Sequence, residues 1–458
     1  MRVAPNPRWI VLLAAFAAAA SELSAAIVRE DAAEPVLRLD LPGHTAEVRA
    51  LAFFPGSTRL VSGGRDKLAI IWNPAHGNRG EQRPAAAAPV VRDIARRRSL
   101  ERVLRWQVAR GTRGIIQTLA VSPAERPLVA VGGSGAMGST GEILLLDAQD
   151  GSLAAVLGGG EKPGHRNSVL AVAFSTDGAW LFSQDFDGAC RAWRRDAGWQ
   201  PVELAAREVE RYGAARAAAV QQLPRLRPLA AVSGGRVAVP VLVSPEGATP
   251  PVWRLELVDP AAAGQRTRLA TDHPGVVTAL SASADGRFLA SADLGGHVHV
   301  HDLAEQEARA SSFAIDSAAE SIAVSPDGRT VVLGLAAAGA GTTPPRLEVW
   351  DVRGPRRSFV REMPAGVRAV AVSADGGTVA WTGGWQHEVF VMPLAELVAN
   401  QPLRGRLGGG GRRIGRVAFE RQEAGATAPR RVAVAWDRPP DGVAPRDPRS
   451  AFDAAFDM

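Results

Sequence analysis

The chain is nearly devoid of cysteine, tyrosine and lysine. Cys190 is the one cysteine among 458 residues, so the chain can form no internal disulfide and no thiolate metal cluster. It sits in the apolar-alternating run ACRAW and reads as a small buried residue. Lysine occurs only at Lys67 and Lys162, so the net charge of +6 rests on arginine. Together with abundant alanine, glycine and proline, that bias points to GC-rich coding and weakens any link between basic charge and nucleic acid. Beyond residue 26 no apolar run approaches the ~20 residues that a spanning helix needs. The glycine runs at 132–141, 158–160 and 408–411 lack the strand, Lys-Ser/Thr and helix context of a phosphate loop, and read as turns and linkers.

The N-terminus carries a targeting pattern. Arg2 and Arg8 precede the apolar run Trp9 to Ala20, and a small-residue stretch ends at Ser24-Ala25-Ala26. A basic, then apolar, then small-residue order describes a secretory signal peptide, and Glu22 interrupts the run too early for a comfortable spanning helix. Residues 1–26 are expected to be a signal peptide, with an uncleaved membrane anchor as the alternative. The expected location is secreted, periplasmic or envelope-associated, and cytoplasmic if the pattern is accidental.

What is present is repetition. His44, Ser62, Asp66 and Trp72 are spaced 18, 4 and 6 residues apart, and His165, Ser183, Asp187 and Trp193 repeat that spacing. Each set is wrapped in three short apolar runs, VRALAFFP, RLVSGG and LAIIW in the first and VLAVAFSTDG, WLFSQD and ACRAW in the second. Short β-type runs broken by Gly, Asp and Pro at regular spacing imply antiparallel meanders. Worn copies follow at VTALSASADG (277–286) after His273, at AESIAVSPDG (319–328) and at GVRAVAVSADG (366–376). Others lie at 115–147 and about 217–262. In the copy after His273, Ser291 keeps its place while Gly295 fills the aspartate slot and His301 the tryptophan slot. The period of about 40–45 residues is that of a four-stranded propeller blade.

These residues resemble the WD-repeat β-propeller family. The likeness rests on PGH (42–44) through IIW (70–72), PGH (163–165) through RAW (191–193), and VWD (349–351), and covers about 34–410. Asn73 and Arg194 stand where the family has the aspartate after tryptophan. The resemblance implies an all-β propeller of seven or eight four-stranded antiparallel blades over 27–410. It also implies that each His, Ser, Asp and Trp set is a buried hydrogen-bonded chain. Its further implication is a non-enzymatic scaffold that binds protein or peptide partners by one rim and needs no cofactor. Thr45, Glu47, Arg65, Arg166, Asn167 and Phe186 are expected on that rim.

Several groups invite chemistry. The His–Ser–Asp groupings suggest a hydrolase, but one active site is not built twice at fixed spacing, so a structural role is expected. His297, His299 and His301 share a strand face and could ligate zinc or copper; without ligands from other segments they read as a packed ladder. Asp185 stands beside the tetrad acid Asp187, leaving one carboxylate where acid–base work needs two groups. An insertion at 74–110 is rich in arginine and could meet an acidic partner or anionic lipid, nucleic acid being disfavoured; within it VLRWQV (103–108) is expected to be an outer strand. Residues 411–458 read as an incomplete eighth repeat or a linker to a further domain. The alternative functions are a docking module of a larger protein and, third, a propeller enzyme with a metal at the channel.

Overall fold

A five- or six-residue run with apolar side chains on both faces must be covered on both, and stacking sheets face to face does this. The computed structural model describes residues 43–407 and three later strands at 414–419, 431–436 and 455–457. Within 43–407 it leaves out 75–98, 105–112, 136–139, 160–162, 206–227, 244–251, 263, 305–309, 339–342, 385–386 and 404. The fold is nearly all-β. Seven four-stranded antiparallel sheets form, each a meander of four consecutive strands, at 48–104, 116–157, 169–205, 230–273, 277–314, 319–362 and 370–407. The longest helix among the described residues is Leu394–Val398, and none is long and apolar enough to cross a membrane.

Seven apolar cores, one between each pair of neighbouring blades, close the ring into a β-propeller. Blades one and two share Val61, Ile71, Ile116 and Leu144; blades two and three share Ile143, Val172 and Trp193. The series continues through three–four, four–five, five–six and six–seven. It ends with Leu60, Ile70 and Trp72 of blade one against Val389, Val391 and Leu407 of blade seven. Because blades one and seven share a core, the ring closes at seven with no place for an eighth blade between them. The strands Ile414–Phe419, Arg431–Trp436 and Ala455–Asp457 pair as a separate three-stranded sheet. Blade seven takes its outer strand, Gly405–Leu407, from directly after its third, Val389–Pro393. In blade one the outer strand is Leu100–Leu104, three residues earlier than its sequence suggests; residues 105–108, most of the arginine-rich insertion and residues 1–26 lie outside the described residues.

Four blades share one turn between their first and second strands, written Ser-x-Asp-Gly at 175–178, 283–286, 325–328 and 373–376. The serine Oγ accepts the backbone N–H five residues on, at 2.9 Å from Trp180, Phe288, Thr330 and Thr378 respectively. It donates to the aspartate, whose Oδ1 in turn accepts an N–H two residues later. The glycine then takes a left-handed φ, +73° at Gly286, where a Cβ would lie 2.3 Å from the Ser233 nitrogen of blade four. Ser283→Ala is expected to cost about 1–2 kcal/mol in urea unfolding, because Phe288 N–H loses its acceptor. An unchanged midpoint would show that water replaces the hydroxyl.

Candidate functional site

The repeated side chains meet inside the blades. In blade one the Trp72 indole donates to Ser62 Oγ at 2.7 Å, and His44 Nε2 lies 2.7 Å from the same oxygen. His44 Nδ1 faces both oxygens of Asp66 at 2.8 and 3.0 Å. An indole can only donate and a carboxylate can only accept, so the neutral imidazole carries its proton on Nδ1 and accepts the serine proton on Nε2. Blade three repeats the chain: Trp193 to Ser183 at 2.7 Å and Ser183 to His165 Nε2 at 2.6 Å. The bonding order is that of a nucleophilic triad. Here, however, Ser62 and Ser183 are fully buried and the indole already occupies the hydroxyl, which leaves no site for a substrate carbonyl.

The acid in blade three is Asp185, which corrects the placing of Asp187 in the tetrad. Asp185 Oδ2 lies 3.1 Å from His165 Nδ1, and its Oδ1 accepts the N–H of Asp187 and of Ala189. Asp187 instead accepts from Asn167 Nδ2 at 3.2 Å. Spacing alone misleads because two backbone positions can reach one imidazole. In blade one the position two after the serine is Gly64, where a Cβ would sit 2.6 Å from the Glu47 carbonyl, so the acid must come from Asp66. Blade five uses the nearer position as well. Asp293 Oδ2 is 3.5 Å from His273 Nδ1, and His273 Nε2 is 2.8 Å from Ser291 Oγ. That blade therefore keeps a clasp although Gly295 fills the other slot.

In blade five His301 is buried in the tryptophan position, and His299 packs edge-on against His273 with ring centroids 4.4 Å apart. His299 Nδ1 meets Ser312 Oγ at 2.7 Å, while His297 is half exposed and turned to Asp293. Burial, reinforced by the facing His273 and His301, pulls His299 down to about 4. Burial works against ionisation of Asp293, yet the facing His273 and the N–H groups of His297 and Gly275 hold its carboxyl down at about 2. Blades six and seven drop the clasp, with Leu333 and Trp381 at the serine position. Blade six substitutes a group with no counterpart in the repeat signature. Buried Glu348 accepts from Arg346 Nε at 2.8 Å, Arg357 Nη1 at 2.9 Å and the Trp350 indole at 2.8 Å, and Arg346 also pairs with Asp316.

A second set of polar residues gathers where the inner strands begin. Register shifts leave one unpaired residue near the start of five inner strands: Arg49, Gln117, Leu170, Thr278 and Glu320. Bulges re-aim side chains, and inner strands line the central channel of a propeller. Arg368 stands just before the paired residues of blade seven. From these positions a charged chain crosses four blades. Glu320 of blade six pairs with Arg368. Arg368 Nε lies 2.9 Å from Glu47 Oε1 of blade one, Glu47 Oε2 takes Arg49 at 2.9 Å, and Arg49 Nη1 reaches Gln117 Oε1 of blade two at 2.7 Å. Burial raises the Glu320 carboxyl, with Glu47 adding to the effect and Arg368 opposing it. Glu47 is also partly buried, but Arg49 and Arg368 hold it below the usual carboxylate range.

The expected rim residues share one end of the strands, where the turn after each second strand bonds to the segment entering the first. Arg65 N–H donates to the Glu47 carbonyl, and Phe186 N–H donates to that of Ser168. Arg65 is exposed, with its guanidinium 3.9 Å from Glu47. Thr45 donates its N–H to Asp66, Asn167 accepts the N–H of Ser168, and Arg166 is exposed. Thr45, Glu47 and Arg65 thus come together in blade one. Asn167 joins Asp187 in blade three beside Arg166 and half-buried Phe186. A polar residue at or near this position was visible in the sequence, as the second residue of VRAL, IQTL, VTAL, AESI and VRAV.

Comparison with known proteins agrees with this geometry. The sequence model of the family described as WD domain, G-beta repeat matches residues 35–73, 160–194 and 265–302. Those segments enter the three blades that hold the histidine clasps. Among solved structures, the β-propeller domain of Cps50 (Swd1) from Myceliophteria thermophila is similar with a TM-score of 0.52 and 14% identity. The likeness covers 74% of this chain and 95% of that one. U3-55K is similar with a TM-score of 0.52 and 14% identity, covering 77% and 92%. No curated protein matches the sequence.

Proposed function

Because the chain belongs to the WD-repeat β-propeller family, whose members commonly serve as non-catalytic interaction scaffolds, we propose that it docks protein or peptide partners. Their seat is the face formed by the turns of Arg65 and Phe186 and the channel mouth beside them. One observation supports this above others: the hydroxyl, imidazole and carboxylate groups of the repeats are consumed inside the blades, while this face presents polar side chains from several blades at once. Fold alone does not assign function, so the reading rests on the face. The N-terminal pattern of residues 1–26 supports a location in the envelope or outside the cell, which fractionation of the native protein tests.

Lysine scarcity supplies a direct experiment. Lys67 lies in the turn beside Arg65, and Lys162 stands three residues before His165 in the sequence. An amine-reactive cross-linker applied to the native protein with its partners should therefore join them through these lysines or the N-terminal amine. Partners joined only by a carbodiimide, through carboxylates of the outer strands, or retained in full by Arg65→Ala and Phe186→Ala, would place docking elsewhere.

A further inference from the structure

We propose that the channel mouth at the inner strands of blades seven, one and two, with the segments of Arg65 in blade one and Arg166 in blade three, takes a peptide segment carrying spaced acidic side chains, an inference that rests on the docking role of this face. Arg49, Arg65, Arg166 and Arg368 all stand at this end of blades seven, one and three, in the turns or at the start of the inner strands. Their counter-charges are already committed. Asp66 serves His44 and the N–H groups of Thr45 and Leu68; Asp187 serves Asn167. Glu47 is shared by Arg49, Arg65 and Arg368, and Glu320 pairs with Arg368. Arg65 and Arg368 remain 51% and 43% exposed at the side chain, so two carboxylates serve three guanidinium groups, two of which still face solvent. Added carboxylates complete such an arrangement, since arginine forks match carboxylate geometry.

A second feature lies in the same patch. Lys67 holds a left-handed φ of +66°, at the turn position filled by Gly188 in blade three and Gly296 in blade five. A side chain kept where glycine is the unstrained choice carries a cost, and such costs collect at binding sites. The acidic partner is favoured over nucleic acid by the pattern of charge. Glu47 and Glu320 interleave the arginines across the mouth and would repel a continuous phosphate backbone, whereas spaced carboxylates can alternate with them.

Fluorescence polarisation of a labelled peptide of alternating Glu and Ala, against full-length protein, tests the proposal, with an oligothymidylate of equal net charge as competitor. The peptide should bind and weaken as salt rises. The double variant R65E/R166E should lose about tenfold in affinity while melting like the native protein. R329E, at the opposite end of the strands, should bind unchanged. No binding at low salt, equal binding by R65E/R166E, equal loss in R329E, or tighter binding of the oligothymidylate would overturn it. If partners still cross-link through Lys67 while the acidic peptide fails, the docking role stands and only the acidic partner falls. Loss of the Lys67 cross-links themselves removes the docking role.

Discussion

Ser183→Ala is expected to lower the free energy of unfolding by about 4 kcal/mol. Among the described residues Ser183 Oγ alone bonds both the Trp193 indole N–H and His165 Nε2, and all three groups are buried. Removing it strands a donor and an acceptor, each at roughly 1–3 kcal/mol. A cycle with Trp193→Phe separates the two contributions, because with the indole N–H gone, Ser183→Ala should cost only about half as much. The loss belongs to breaking the network and not to lacking one. Blade six packs Leu333 at the serine position, with Ile315 buried where the clasped blades carry histidine. An apolar set of matching shape replaces a buried polar set at little cost. A loss below about 1 kcal/mol in equilibrium urea unfolding would mean that the clasp is not a stabilising element.

The second large effect is a loss of stability on acidification between pH 6.5 and 4. His299 titrates near 6.5 when unfolded and near 4 when folded, so the unfolded chain takes up a proton first. Its contribution is therefore fully present above pH 6.5 and is lost as pH falls toward 4, by about 3 kcal/mol over the window. The groups facing it are His273 and His301, with Asp293 beyond His273 and His297 on the same strand; the three imidazoles oppose a further charge and Asp293 favours it. Asp293 adds a separate loss below its unfolded value of 3.8, as pH falls toward about 2. His299→Gln can keep a bond to Ser312 and has no titrating group, so it should flatten the step between pH 6.5 and 4 and leave the lower one. Parallel denaturation curves for the native protein and His299→Gln across that window would refute the assignment.

The meander architecture was legible because blade strands write themselves as short two-faced apolar runs at a fixed period. The blade count was legible only in part. Residues 411–458 read as an incomplete eighth repeat, and only the shared core of Trp72 with Val391 and Leu407 shows where the ring closes. The clasp was readable in its serine, histidine and tryptophan, which are fixed by strand register. Its acid was not: Asp185 and Asp187 both lie in the turn, and which one reaches the imidazole depends on backbone geometry. The same reason hid the role of Asp293. The Glu348 group and the charged chain from Glu320 to Gln117 bring together residues up to 321 positions apart in sequence, and no local pattern announces such pairs. The outer strand of blade one was misplaced because an edge strand with one exposed face carries little apolar signal.

The continuous make-up of blade seven has a consequence for the ring as a topological object. Every blade is one uninterrupted stretch of chain, and neighbours share side-chain cores but no strand. The junction between the last blade and the first is thus of the same kind as the other six. Cyclic order is fixed while the starting point is arbitrary. A chain opened between blades three and four, with its old ends joined, would meet the same set of neighbours at every blade.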